Sequence, residues 1–218
     1  MGLNGMKPPQ RLADLPFADA LVPYEGDWTE QEYDTVHVRG VTVTEADASS
    51  ARFIECAFTQ VTFDGGAFRR SRFIDGWFHE VRFIGTDLTE ASWQDVTFTG
   101  GLLAGPQTPA AQLTRVVFQG CKLDSLNLRE AKLADVRFDS CLLREVDLSR
   151  ASLERVSFPG SRLAGVDFSR ASLEKVDLRG AELAISGGAE CLRGATISTS
   201  QLMDLAPALA QALGITVD

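Results

Sequence analysis

This chain of 218 residues has little of what most enzymes are built around. It holds two histidines, His37 and His79, and four cysteines with no Cys-x-x-Cys among them. Zinc ligands come in short-range pairs, and neither residue type is spaced that way. A Gly-x-Ser-x-Gly turn, a His-x-x-x-His pair and a glycine-rich phosphate loop are also missing. Common routes to nucleophilic catalysis and nucleotide binding therefore have no residues to use. The expectation is a protein that is not an enzyme, with no catalytic residue, no metal and no cofactor. Long apolar runs are absent too. Without 18 consecutive apolar residues no transmembrane helix is expected. The start, MGLNGMKPPQRL, has no hydrophobic signal core, and Met6 stands where myristoylation of Gly2 would want Ser or Thr. A soluble, cytoplasmic protein is expected, and its thiols should be reduced. Cys121 and Cys141, 20 residues apart, could come within disulfide reach, but packing as small hydrophobes is the favoured reading.

What is present is a period. Residues 146–178 divide into VDLSR ASLER VSFPG SRLAG VDFSR ASLEK VDL, with Leu or Phe at the centre of every group. From Phe53 to Leu183 there are 27 positions spaced by five, and 25 are Leu or Phe, the exceptions being Trp93 and Thr108. Two places before the centres, all but Pro106 and Leu126 are Ala, Cys, Val, Gly, Ser or Thr. Five fits neither a helix, which would spread such positions around all its sides, nor a strand, which would alternate them. It fits a chain that turns one corner per group, each coil burying its apolar residue against the next. Phe58, Phe78, Phe98, Phe118, Phe138 and Phe158 recur every 20 residues. Four groups then make a square coil, with these rings stacked on one inner face.

The pattern seen in VDLSR, ASLEK, VDLRG and TDLTE resembles that of the pentapeptide repeat proteins. What the resemblance implies is an all-β fold, a right-handed quadrilateral β-helix. Counting gives seven to eight coils of 20 residues, a rod of roughly 36 Å at one strand spacing per coil. Residues 1–32 read as an N-terminal arm and irregular cap, 33–185 as the β-helix, and 186–218 as a shifted last turn and a helical cap. In the last part Leu202, Leu205, Leu209 and Leu213 take helical spacing. Ser198 to Ser200 supply the N-cap, Pro207 should start a second short helix or kink the first, and Gly214 ends it. Those leucines exceed what a plug needs and suggest a homodimer through the C-terminal segment, a habit of the family. Inside the rod, LLAGPQTPAAQL carries two prolines and the polar Thr108. Gly105, Pro106, Gln107, Thr108 and Pro109 are read as a bulge at a corner, a candidate recognition element.

Function is argued from charge and resemblance. Some pentapeptide repeat proteins bind DNA gyrase or another type II topoisomerase by resembling duplex DNA in charge and width, and so confer antibiotic resistance. The net charge of −9 favours an electropositive protein partner and disfavours direct DNA binding, and a membrane-bound role would need features the sequence does not show. Residues 1–110 carry 8 basic and 16 acidic side chains, and residues 111–185 carry 12 and 11. Glu80, Asp87, Glu90 and Asp95 are therefore the candidate acidic surface. The alternative is a scaffold or adaptor using the flat face outside the Phe column, which has Gly100, Gly120, Gly160 and Gly180 at its corners.

Overall fold

The computed structural model describes residues 8–216. From Glu32 to Gly187 the chain winds as a parallel β-solenoid of about eight coils. The first strands are β1 (Val22–Pro23), β2 (Glu32–Asp34), β3 (Val36–Arg39) and β4 (Thr42–Thr44). The four faces are named here for their first inward residues: Tyr33, Val38, Val43 and Ala48. Three faces are sheets of seven or eight strands. The Ala48 face is held by single bridges that step through Asp47, Ala67, Asp87, Gln107, Asn127, Asp147 and Asp167. Pairing is in register at 20 residues, as in Phe98 opposite Phe78 and Phe118.

The corner explains the period. Two residues after each centre, the backbone enters the left-handed region: φ is 50° at Glu55, 53° at Asp75, 56° at Asp95 and 54° at Arg115. For an L-residue this costs about 1–2 kcal/mol. Each such N–H is caught by the next coil: Glu55 donates to Ile74 O at 3.0 Å, Asp75 to Gln94 O at 3.0 Å and Asp95 to Thr114 O at 3.1 Å. The ladder holds the corner open, so residues other than glycine are retained there.

Inside, the rings form columns. Phe78, Phe98 and Phe118 lie at centroid spacings of 4.5 and 4.7 Å, and Phe138 and Phe158 continue the column at 4.9 and 5.0 Å steps. A second column runs Tyr33, Phe53, Phe73, Trp93 on its own face. The indole Nε1 of Trp93 is buried there without a hydrogen-bond partner. Trp28 closes the N-terminal end, packed on Tyr33, Phe53 and Phe63.

The expected bulge at residues 105–109 does not form. Gln107 bridges both Asp87 and Asn127, and Thr108 sits at the core centre, 1% exposed, donating its hydroxyl to Asn127 O. The reason lies in which N–H groups the ladder uses. In this kind of group the residue before the centre donates backward, as Gln107 N–H does to Thr86 O at 3.0 Å. The centre and the corner donate forward, Thr108 to Asn127 O and Ala110 to Arg129 O. Pro106 and Pro109 occupy the two remaining places, where a ladder donor is not needed. In neighbouring coils the Pro109 position donates only to a local side chain, Thr89 to Asp87 and Arg129 to Asn127.

At the C-terminus one helix, α1, runs Thr199–Ala212. Ser198 and Gln201 form a capping box, and Pro207 lies inside the helix without starting a second one. Gln201 Nε2 donates to Leu178 O at 2.6 Å and Ala181 O at 2.7 Å, so a side chain replaces the strand a further coil would have supplied.

Candidate interaction surfaces

The outward side chains stack as columns, and the most regular follows the Tyr33 face at its corner: Glu55, Asp75, Asp95, Arg115, Asp135, Arg155, Lys175. Arg115 forks onto Asp95 with both contacts at 2.6 Å, and Arg155 forks onto Asp135 at 2.7 and 2.8 Å. Glu55 and Asp75 lie below these forks with no ion pair among the described residues. Burial, and then the charges of Asp95 and Glu55, hold the Asp75 carboxyl above the usual carboxylate range. The Arg115 hydrogen bonds hold Asp95 below it.

Past Arg115 the surface is neutralised pair by pair. Arg144 meets Asp124, Arg150 meets Glu130 at 3.2 Å, Arg137 meets Asp139 at 2.7 Å and Arg162 meets Glu182 at 3.5 Å. Before it, the pairs along the rod are Arg52 with Glu32 at 3.4 Å and Arg69 with Asp87 at 2.6 Å.

The four carboxylates expected to form one acidic surface lie apart. Glu80 is at the corner after the Val38 face and accepts from Gln60 Nε2 at 2.9 Å. Asp87 is on the Ala48 face, tied to Arg69. Glu90 and Asp95 occupy the corners after the Ala48 and Tyr33 faces. Only Asp95 belongs to the column that begins with Glu55 and Asp75. Counting by 20 along the sequence, and not by neighbourhood, would have found it.

The bland face outside the Phe column is already occupied for much of its length. Residues 8–21 run along the Val38 face. Leu15 and Phe17 are buried against Ala57 and Trp77, with Leu12, Ala18 and Leu21 beside them. Trp77 Nε1 donates to Pro9 O at 3.3 Å, and Gln10 Nε2 donates to Gln119 Oε1 at 2.7 Å. Trp77 thus points outward, under the arm, and is neither a ladder ring nor part of the end cap. The outward residues Ala57, Trp77, Thr97 and Val117 are all buried.

Of the helix residues Leu202, Leu205, Leu209 and Leu213, only Leu205 is buried, at 3% exposure. Leu202 is 45% and Leu213 is 71% exposed, with Met203 and Ile215 exposed near them. A groove of about 320 Å³ separates Leu209 and Leu213 from Leu192 and Ile197.

All four cysteines are free, with Cys56, Cys121 and Cys141 buried. Burial pushes the Cys56 thiol up to about 11, and the adjoining Cys121 sulfur together with burial pushes Cys141 up. Cys56 and Cys141 therefore stay thiols, donating to Tyr33 O and Phe118 O. His37 Nε2 and His79 Nδ1 each pair with a threonine hydroxyl, Thr59 and Thr99. Among the described residues no group of His, Cys, Asp and Glu could hold a metal ion, and no helix is long and apolar enough to cross a membrane.

Residues 91–168 match the sequence profile of the Pentapeptide repeat region family. No curated protein matches. Among solved structures, the chain is similar to HetL, a pentapeptide repeat protein involved in heterocyst differentiation regulation from the cyanobacterium Nostoc sp. strain PCC 7120. The identity is 21%, the match covers 75% of this chain and 86% of HetL, and the TM-score is 0.46. It is also similar to full-length QnrB1, a plasmid-mediated fluoroquinolone resistance protein, at 18% identity and a TM-score of 0.35, covering 82% of this chain and 100% of QnrB1.

Proposed function

We propose that this pentapeptide repeat protein is a non-enzymatic binder whose rod docks on a cationic surface of another macromolecule, with a bacterial type II topoisomerase the best single candidate. The observation that carries the reading is the column Glu55, Asp75, Asp95, in a half of the rod where carboxylates outnumber their partners. A line of negative charge at one strand spacing, about 4.8 Å per step, offers a DNA-binding groove something like a phosphate backbone. The raised Asp75 supports this, because a carboxylate that is partly desolvated and then crowded by like charge is relieved by an incoming cation. The site is proposed to lie on the Tyr33 side, since the arm covers much of the Val38 face. The same arm weighs against an adaptor that uses the Val38 face along its whole length.

The decisive experiment is a DNA gyrase supercoiling assay with and without a quinolone, titrating in the full-length protein. Inhibition or protection that weakens steeply with salt is expected, since exposed charges are screened beyond about 8–10 Å at moderate ionic strength. Glu55→Gln with Asp75→Asn should weaken it further. No effect at micromolar concentrations removes the topoisomerase and leaves the adaptor. The proposal includes a cytoplasmic homodimer joined through α1, motivated by exposed Leu202, Met203, Leu213 and Ile215. Light scattering should give twice the chain mass for the full-length protein and the chain mass for a Leu202→Glu, Leu213→Glu variant. A monomeric wild-type protein would refute the dimer.

A further inference from the structure

The N-terminal end of the solenoid, although Trp28 closes its core, differs from the plugged C-terminal end in leaving a strand edge unpaired. One coil further on, Thr62 N–H donates back to Val41 O and Asp64 O accepts from Glu45 N–H, both at 3.0 Å. Their first-coil counterparts are Thr42 and Thr44 in β4. By the same geometry the N–H and C=O groups of these two threonines aim where a preceding coil would lie. Among the described residues they make no hydrogen bond.

The first-coil edges of the other two sheets are protected. Strand β3 is covered by β1, with Val22 N–H donating to Thr35 O and Tyr24 N–H to His37 O. Strand β2 carries Glu32 and Asp34, charges of the kind that blunt strand pairing. Strand β4 reads Thr-Val-Thr, β-branched and without charge or proline. Beside it an open groove of about 740 Å³ runs between the strand and the loop of residues 23–29. Glu25, Asp27 and Asp47 line this groove against one cation, Arg39. Residues 22–50 as a whole carry seven carboxylates and one arginine. Two such ends repel each other, which disfavours a second copy as the occupant.

We propose that β4 and the adjoining groove form a strand-addition site that accepts an extended, lysine- or arginine-rich segment of a partner protein. The main chain of that segment pairs with Thr42 and Thr44, as in other cases of β-augmentation. Its cationic side chains reach Glu25, Asp27 and Asp47, which supplies the selectivity. The site lies at the end of the rod and does not rest on the topoisomerase reading.

The test uses the full-length protein and a fluorescein-labelled peptide, Lys-Val-Lys-Val-Thr-Val-Lys. Two controls are the same peptide N-methylated at alternate residues and the same peptide with Glu for each Lys. Saturable binding of the first peptide is expected by fluorescence anisotropy, with slowed amide exchange at Thr42 and Thr44 and weak or no binding of either control. Thr42→Pro removes one outward donor at the first position of the strand and leaves the β4 ladder to the second coil intact. It should weaken binding about tenfold with the thermal midpoint unchanged. If that variant misfolds, Asp27→Asn with Asp47→Asn, which alters no backbone group and keeps an oxygen to accept the Ser49 N–H, should still weaken binding severalfold. Absence of binding, or equal binding of the N-methylated peptide, would overturn the proposal. So would self-association of the protein at its N-terminal end that Thr42→Pro abolishes, because the edge would then belong to a second copy.

Discussion

The two halves of the rod solve the same packing problem with different side chains and carry opposite electrostatic habits. From Phe53 to Phe83 the four inner columns are wholly aromatic, and stacked rings at spacings near one strand fill the square. From Leu103 onward three columns turn mainly to leucine and only the Phe98 to Phe158 column stays aromatic throughout. Outside, the first half leaves Glu55 and Asp75 unpaired while the second ties its carboxylates to arginines, many of them one coil away. Arg115 stands at the boundary. The lesson is that the solenoid constrains the volume of its interior tightly and the charge of its exterior hardly at all, so the outer columns are free to specialise.

The largest expected effect tests the interior half of that contrast. Phe98→Ala removes a ring stacked on both sides and should cost about 3–5 kcal/mol, against about 2–5 kcal/mol for Leu143→Ala in the leucine half. Urea melts of both variants would show it. Equal losses would mean that ring stacking adds nothing beyond volume.

A smaller effect is expected at the boundary. Arg115→Ala removes a forked but solvent-exposed pair, 38% and 34% exposed, and after solvent screening should cost less than about 1 kcal/mol at neutral pH. Asp95 is held below its ordinary range in the folded state, so the contribution is full above the unfolded value. It is lost as pH falls through the folded one. Melts across acid pH should therefore bring the variant and wild type together.

The smallest effect has the opposite sign. The Asp75 carboxyl is raised in the folded state, so its charge opposes folding above that raised value and ceases to matter below the ordinary one. Asp75→Asn should be slightly more stable than wild type at neutral pH and indistinguishable in strong acid. A variant less stable at pH 7 would mean that the carboxylate makes a favourable contact in the folded state.

How much of this could be read from the sequence depended on whether a feature obeyed the period. The inner columns were legible because every fifth residue answers to one geometric demand, and the plug at α1 because its leucines take helical spacing. The prolines at 106 and 109 read as breakers in the sequence but fall at the two places in the group whose N–H the ladder does not use. The arm was not legible, since Leu15 and Phe17 meet Ala57 and Trp77 through outward positions that repeat nothing. One signal was available. Trp77 is a large aromatic at an outward position, and a face that exposes indole calls for a cover. The acidic candidates follow from the charge excess of residues 1–110, which does not say which carboxylates share a column, since surface neighbours on this fold are 20 residues apart.

The corner residue, repeated with nearly the same φ from Thr35 to Lys175, makes the molecule a screw with a fixed pitch. Every coil advances the chain by the same step, and any 20 consecutive residues begin and end at equivalent points of the thread. Excising residues 116–135, for instance, would join Arg115 to Val136 with every column still continuous, shortening the rod by one pitch, about 4.8 Å. Length in such a protein is quantised, and it can be tuned to the span of a partner by whole turns without redesigning the interior.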